Sequence, residues 1–225
     1  MPRILMIATG AATGTSFPVD SDTMVALRSV SGLPDCCDNA HDWALADLAV
    51  LAAGQGAEAE GFDAVCLADF GDYGAGALRS VLGVPVVTAG RSAMLHALTL
   101  GSRFAVLAPA PAARRVKKLV QEYGFSGQCA AVRAFDAGGE ALAAARVCID
   151  EDGADVLCLA SQDVALAARL AAELPVPVID PLPLALKLAE SFLGLGLSQS
   201  RRAWPEPQLR KPELIAALVA AGERA

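Results

Sequence analysis

The chain has 225 residues, 54% of them hydrophobic, with a formal net charge of −7; that is enough for two small α/β units or one large one, with a sizeable core. Aromatic residues are only 5% and no basic block occurs, which excludes the clustered Lys/Arg and stacking rings that nucleic acid needs. Mean hydropathy is +0.44, but no apolar run reaches the roughly 18 unbroken residues of a membrane span. The six cysteines, Cys36, Cys37, Cys66, Cys129, Cys148 and Cys158, show no C-x-x-C spacing, and two histidines are too few to complete a zinc site. Free thiols and no metal are expected.

The chain opens Met1-Pro-Arg-Ile-Leu-Met-Ile-Ala8, a buried strand that starts at once where a secretory signal would carry a longer apolar stretch, so a cytoplasmic protein is expected. Apolar runs predict strands over Ile4–Ala8, Ala64–Ala68, Val84–Thr88, Phe104–Ala108, Val156–Ala160 and Val176–Asp180. Their near-continuous apolarity is what strands covered on both faces require, so parallel sheets are expected. Ala-rich stretches of helical period predict helices around Asp42–Gln55, Ala75–Val81, Ser92–Leu100, Ala112–Tyr123, Gly139–Asp150, Val164–Glu173 and Leu184–Leu193, with a last one in Lys211–Ala225. This alternation gives doubly wound α/β units.

One string occurs twice. Gly61-Phe-Asp-Ala-Val-Cys-Leu-Ala-Asp69 returns as Gly153-Ala-Asp-Val-Leu-Cys-Leu-Ala-Ser161, and at the same distance beyond each copy come Val84-Pro-Val-Val and Val176-Pro-Val-Ile. The starts of the halves match too, Arg3-Ile-Leu-Met-Ile-Ala-Thr against Arg103-Phe-Ala-Val-Leu-Ala-Pro. Two copies of one folding unit are therefore expected, residues 1–100 with about 205–225 as the first and 101–204 as the second. Such units normally face each other across a cleft, where the ends of the repeated strands, Asp69 and Ser161, would meet.

Ligands of open parallel sheets bind beyond the carboxyl ends of the strands; here these are Ala8–Thr13, Asp69–Gly74, Thr88–Arg91, Ala108–Pro111, Ser161–Asp163 and Asp180–Pro183. Asp69 precedes the turn Phe70-Gly71-Asp72-Tyr73-Gly74 and suits a general base or ligand contact; a helix cap is the structural alternative, for it and for Asp72. Ser161, before Gln162 and Asp163, could donate to a substrate oxygen or cap the next helix. Thr88, Arg91 and Asp180 end the second repeated strands, and Arg91 could clamp a carboxylate or sit solvated at a helix start. Cys66 and Cys158 lie three residues before the strand ends, on the opposite face, and read as small core residues. His96 reads as a packing histidine inside an apolar helix and His41 as a surface residue. Gly71-Asp-Tyr-Gly-Ala-Gly76 is not a dinucleotide fingerprint, and no P-loop is present.

With these strings in view the chain resembles the Asp/Glu/hydantoin racemase superfamily, closest to the hydantoin and allantoin racemase branch. Ala68-Asp-Phe-Gly-Asp72 looks like that branch's Ala-Cys-Phe-Gly-Asp motif, and Gly153 through Ser161 like its Gly-Ala-Asp…Leu-Gly-Cys motif. Pro177-Val-Ile-Asp180, Lys187-Leu-Ala-Glu-Ser191 and Leu195-Gly-Leu-Ser-Gln-Ser-Arg201 match its C-terminal signature. The resemblance implies two Rossmann-like units related by pseudo-twofold symmetry, a cleft between them, no cofactor and a small-molecule substrate. In that family two cysteines remove and return a proton on opposite faces of one carbon; their positions read Asp69 and Ser161 here. The family's Asn-Pro-Asn-Thr loop reads Ala8-Thr9-Gly10-Ala11, its Thr-Thr reads Ala108-Pro109, and its Glu in Gly-Ile-x-Glu-Ala-Ala reads Arg91.

An alkyl hydroxyl ionises far above a thiol, so an Asp/Ser pair is lopsided and suits one-base chemistry. The expected function is cofactor-independent proton transfer next to a carbonyl in a small carboxylate or cyclic amide. Asp69 would be the base, with Ser161 and turn amides holding the oxygen. Phe70, Gly71, Thr88, Arg91, Gln162 and Asp180 would contact the substrate. The alternatives are a non-catalytic ligand-binding protein on the same scaffold and a lyase such as a decarboxylase. A homo-oligomer such as a dimer is compatible with the apolar helices of the first half.

Overall fold

Strand β1 (Arg3–Thr9) pairs in parallel with β2 (Met24–Val30) on one side and β3 (Ala64–Leu67) on the other, and β3 pairs with β4 (Val86–Thr88), giving the order β2-β1-β3-β4. A second sheet repeats the pattern as β6-β5-β7-β8, built from β5 (Phe104–Pro109), β6 (Cys129–Phe135), β7 (Val156–Leu159) and β8 (Val178–Ile179). The computed structural model describes residues 1–9, 19–30, 33, 37–136 and 139–222. Gly10–Thr13 at the end of the first strand, and Cys36, lie outside the described residues.

The helices are α1 (Ala40–Gly54), α2 (Ala75–Val81), α3 (Ala89–Leu100), α4 (Ala110–Glu122), α5 (Ala141–Asp150), α6 (Val164–Glu173), α7 (Pro181–Gly194) and α8 (Pro212–Gly222). All six strands expected from apolar runs are present. The two that the apolar runs did not announce, β2 and β6, are the outer strands of their sheets, and most of their residues are only partly covered.

The repeat holds down to single bonds. At the strand starts, the Arg3 amide donates to Asp63 Oδ2 at 2.8 Å and the Arg103 amide to Asp155 Oδ2 at 3.0 Å. At the strand ends, the Ala68 amide donates to Ile7 O at 2.9 Å and the Ala160 amide to Leu107 O at 2.8 Å. The glycine opening each copy has positive φ, 79° at Gly61 and 71° at Gly153, a backbone that a side chain makes strained. Turn geometry therefore accounts for the first residue of the repeated string.

Each unit has its own core. In the first, Leu5, Ile7, Val65 and Leu67 pack with Trp43, Ala46 and Val50 of α1 and Leu78 of α2. On the other face of that sheet, the buried Cys66 thiol lies 3.6 Å from Ala185 O of α7. In the second unit, alternation along the strands divides the core in two. Phe104, Val106, Val156 and Cys158 pack with α3 and α4, while Ala105, Leu107, Leu157 and Leu159 pack with α5 and α6.

The first unit comprises Met1–Ala68, Asp72–Thr88 and Ala185–Ala225, and the second Asp69–Gly71 and Ala89–Leu184. The boundary expected near residue 100 thus falls at Thr88, because α3 packs on β5, β7 and α4. Residues 185–204, expected in the second unit, belong to the first. Beyond α7 the chain crosses the end of α2. Gln199 donates to Leu82 O and Val84 O at 2.6 and 2.9 Å and accepts the Val86 amide at 3.1 Å, supplying partners to outer strand β4. Arg201 donates to Arg79 O and Ser80 O at 3.1 Å each, and also to Leu82 O, so it satisfies the last carbonyls of α2.

Candidate functional site

Three expected site residues make one kind of local bond. Asp69 Oδ1 accepts the Gly71 amide at 2.6 Å, Ser161 Oγ the Asp163 amide at 3.2 Å, and Asp180 Oδ1 the Leu182 amide at 3.1 Å. Each is a strand-end residue folding its side chain over the amide two positions on, as Asp and Ser do in tight turns. All three are half-buried. Asp163, not Ser161, is the N-cap of α6, accepting the Leu166 amide at 3.0 Å.

The amides of Gly71 and Asp163 already donate to the side chains that begin their turns. Those two amides are committed to their turns, and the Ser161 hydroxyl hydrogen remains as a donor on its turn.

Phe70, expected against the substrate, is buried at 5% exposure in the core formed by α3, α4 and the second sheet, the cluster that also holds Met94 and Phe104. It anchors the Asp69 turn. Gly71 is buried as well. Asp72 is the single non-glycine residue with positive φ among the described residues, at 51°, and is itself buried; local strain sits beside the candidate base.

Thr88 is paired with Leu67 across the first sheet and is 1% exposed, and its Oγ1 has no hydrogen-bond partner among the described residues. A buried hydroxyl left in that state costs free energy, so it is a place where a ligand atom would be welcome. Arg91 lies over the Tyr123 ring, 5.3 Å from its centroid, which gives its guanidinium a cation–π partner. Gln162 is half-buried. Burial raises the Asp180 carboxyl above the ordinary aspartate range, and the Leu182 amide offsets part of that rise. Of these candidates Asp69, Phe70, Gly71, Arg91, Ser161, Gln162 and Asp180 belong to the second unit and Thr88 to the first.

The conspicuous cysteines do no exposed chemistry. Cys66 and Cys158 are 0% exposed. Burial pushes the Cys66 thiol up to about 12, with Glu190 adding to the rise, and burial raises Cys158 as well. A thiol held that far from its thiolate is a poor nucleophile and a poor base. His41 is exposed, and His96 is half-buried with Nδ1 3.3 Å from Ser92 O. Among the described residues no group of three or more His, Cys, Asp or Glu is placed to hold a metal ion, and no helix is long and apolar enough to cross a membrane.

One residue escaped the sequence reading. Arg115 on α4 is only 8% exposed and donates through Nε to Gly71 O at 2.9 Å. The signal was available: Arg115 lies four residues before the buried Leu119 and beside the buried Val116, at the apolar stripe of the helix. A basic residue on a buried stripe needs a partner, and here the turn that starts at Asp69 supplies one.

The profile of the family described as Asp/Glu/Hydantoin racemase matches residues 11–189. The hydantoin racemase of Rhizobium meliloti is 32% identical over 193 residues, covering 80% of this chain and 80% of that one. The hydantoin racemase of Paenarthrobacter aurescens is 29% identical over 198 residues, covering 81% and 84%. Among solved structures, the allantoin racemase from Klebsiella pneumoniae superposes with a TM-score of 0.82 at 25% identity, over 93% of this chain and 95% of that one.

Proposed function

Because the chain belongs to the Asp/Glu/hydantoin racemase family, we propose that it is an isomerase-type enzyme that moves a proton at a carbon next to a carbonyl, in a cyclic amide or a small carboxylate. Asp69 takes and returns the proton, and the Ser161 hydroxyl donates to the carbonyl oxygen that gains charge. Arg91 contributes a polar contact toward a carboxylate or an imide oxygen. The observation that carries the reading is the equivalent placement of Asp69 and Ser161, each ending a repeated strand and each half-buried in a turn. The two hydantoin racemases support a cyclic amide as the substrate class. The reading uses no cofactor and takes the protein as a cytoplasmic homo-oligomer.

One carboxylate and one alcohol make the chemistry one-sided. At neutral pH the alcohol does not ionise, so it does not serve as a second base. Proton removal and return then occur on the same face, and exchange with solvent outruns inversion. Incubating each enantiomer of 5-monosubstituted hydantoins, of allantoin and of a panel of amino acids and dicarboxylates in D₂O tests this. Proton NMR follows loss of the α-hydrogen, and polarimetry follows inversion in the same sample. Exchange above the enzyme-free rate is expected in the parent and is lost in Asp69→Asn. Thermal-shift binding without exchange or product would leave a ligand-binding protein on this scaffold, and a product of altered mass would make it a lyase.

A further inference from the structure

Arg115 is one of four polar or charged residues counted as buried among the described residues, with Asp72, Thr88 and Ser92. A guanidinium taken from water is costly unless its donors are engaged. Its Nε donates to Gly71 O at 2.9 Å, and Gly71 donates its amide to Asp69 Oδ1 at 2.6 Å. Gly71 is thus held at both ends, by a cation on α4 and by the carboxylate that begins the turn. Glycine has the widest backbone freedom of any residue, so a clamp on its carbonyl removes motion that would otherwise pass into the amide holding Asp69. Phe70, between the two, is anchored in the same core as Ala113, Val116 and Leu119 of α4. The helix therefore grips the turn by one aromatic ring and one guanidinium.

We propose that Arg115 is a positioning residue for Asp69, fixing the carboxylate's direction through Gly71. The proposal rests on the reading of Asp69 as the group that moves the proton. It separates two demands on the turn. Phe70 holds the turn in place and Arg115 sets its orientation, so loss of the guanidinium harms the reacting geometry more than substrate affinity.

The test is steady-state α-hydrogen exchange of 5-benzylhydantoin in D₂O for the parent, Arg115→Gln, Arg115→Lys and Asp69→Asn, with thermal unfolding and amide hydrogen exchange of the 69–73 turn measured on each. Arg115→Gln is expected to lower kcat by about 100-fold with KM within about threefold, the scale of loss that misplacement by an ångström produces. The turn amides should exchange faster in that variant. Arg115→Lys, which keeps a buried cation and a donor, should recover part of both effects. Should Arg115→Gln fail to fold, Arg115→Lys carries the comparison, with a smaller fall in kcat at unchanged KM. A variant that is less stable but turns over at the parent's kcat per folded molecule reduces Arg115 to a core residue and overturns the proposal. A fall in KM-linked affinity with kcat intact overturns it too. Parent protein that exchanges no proton, or Asp69→Asn that exchanges as fast as the parent, removes the Asp69 reading and this proposal together. An inactive Asp69→Asn beside a normal Arg115→Gln removes this proposal alone.

Discussion

Asp69 and Ser161 perform the same turn-building task at equivalent points of the repeat, each accepting the amide two residues further on, at 2.6 and 3.2 Å. An acid and an alcohol are interchangeable for that task, since both offer an oxygen lone pair. They are not interchangeable for moving protons. Asp69→Asn keeps an amide oxygen in place of the carboxylate oxygen, so the turn and the melting temperature should persist while the proton acceptor is gone. A fall in exchange of about 100- to 10,000-fold is expected, the usual contribution of a positioned acid or base. Circular dichroism and exchange NMR on the same preparation check both halves of the expectation.

Ser161→Cys separates one-base from two-base chemistry. A cysteine thiol titrates at about 8.5 when unperturbed, so it adds a second group able to exchange a proton near neutral pH. The parent should incorporate deuterium into a single enantiomer with its optical rotation retained. The variant should lose rotation at a measurable fraction of its exchange rate. Equal rates of exchange and inversion in the parent would defeat the one-base reading.

Gln199 and Arg201 tie the segment after α7 to the end of α2 and the outer strand β4. Gln199 satisfies the Val86 amide and the carbonyls of Leu82 and Val84, and Arg201 satisfies those of Arg79, Ser80 and Leu82. Truncating Gln199 to alanine leaves the partly buried Val86 amide and Val84 carbonyl unpaired, at a cost of about 1–3 kcal/mol. Arg201→Ala frees only the exposed carbonyls of Arg79 and Ser80, since Leu82 O keeps its bond to Gln199, and costs less. Denaturant midpoints should fall in both variants. A surface control such as Lys117→Ala, exposed on α4, should leave the midpoint nearly unchanged.

The interior of both sheets was legible because strands covered on two faces read as unbroken apolar runs. Strands β2 and β6 were not: each has a neighbour on one side only, and the stretches Met24-Val-Ala-Leu-Arg-Ser-Val and Cys129-Ala-Ala-Val-Arg-Ala-Phe carry an arginine and several small residues. Asp69, Ser161 and Asp180 were found by register alone, since a repeat aligns strand ends without any knowledge of contacts. The roles of Phe70 and Gly71 were not legible. Whether an aromatic ring after a strand end turns to the core, and which side chain takes a given amide, depends on turn geometry. Arg115 was not legible from strand ends, because its meaning comes from a position on the buried face of a helix.

Cys66 and Cys158 recur in the repeated string, yet both are fully buried with thiols pushed far from ionisation. Cys148 is buried too, with its thiol raised to about 11. Iodoacetamide should leave these three unmodified in the native protein, and Cys37, which is partly exposed, should label ahead of them. Cys66→Ala and Cys158→Ala should lose some stability through the small cavity left behind and keep proton exchange near the parental rate. Peptide mapping after timed alkylation checks the order, and loss of exchange in either alanine variant would return a chemical role to the repeated cysteines.

Asp180 gives a dependence on pH whose sign follows from burial. Its carboxyl is raised in the folded protein above the value of an exposed aspartate, because partial burial disfavours the charged form and the Leu182 amide only partly offsets this. Across the window between the unfolded and folded values the folded state then holds more proton than the unfolded state, so stability falls as pH rises through that window. Below the unfolded value, about 3.9, both states are protonated and the penalty is absent; above the folded value it is complete. Asp180→Asn keeps the acceptor for the Leu182 amide and removes the charge. It should melt above the parent at pH 7, and the gap should close as pH is lowered toward about 4. Scanning calorimetry on both proteins from neutral to acidic pH reads this directly. Equal melting temperatures at pH 7, or a gap that stays constant into acid, would mean that the strand-end carboxyl carries no burial penalty.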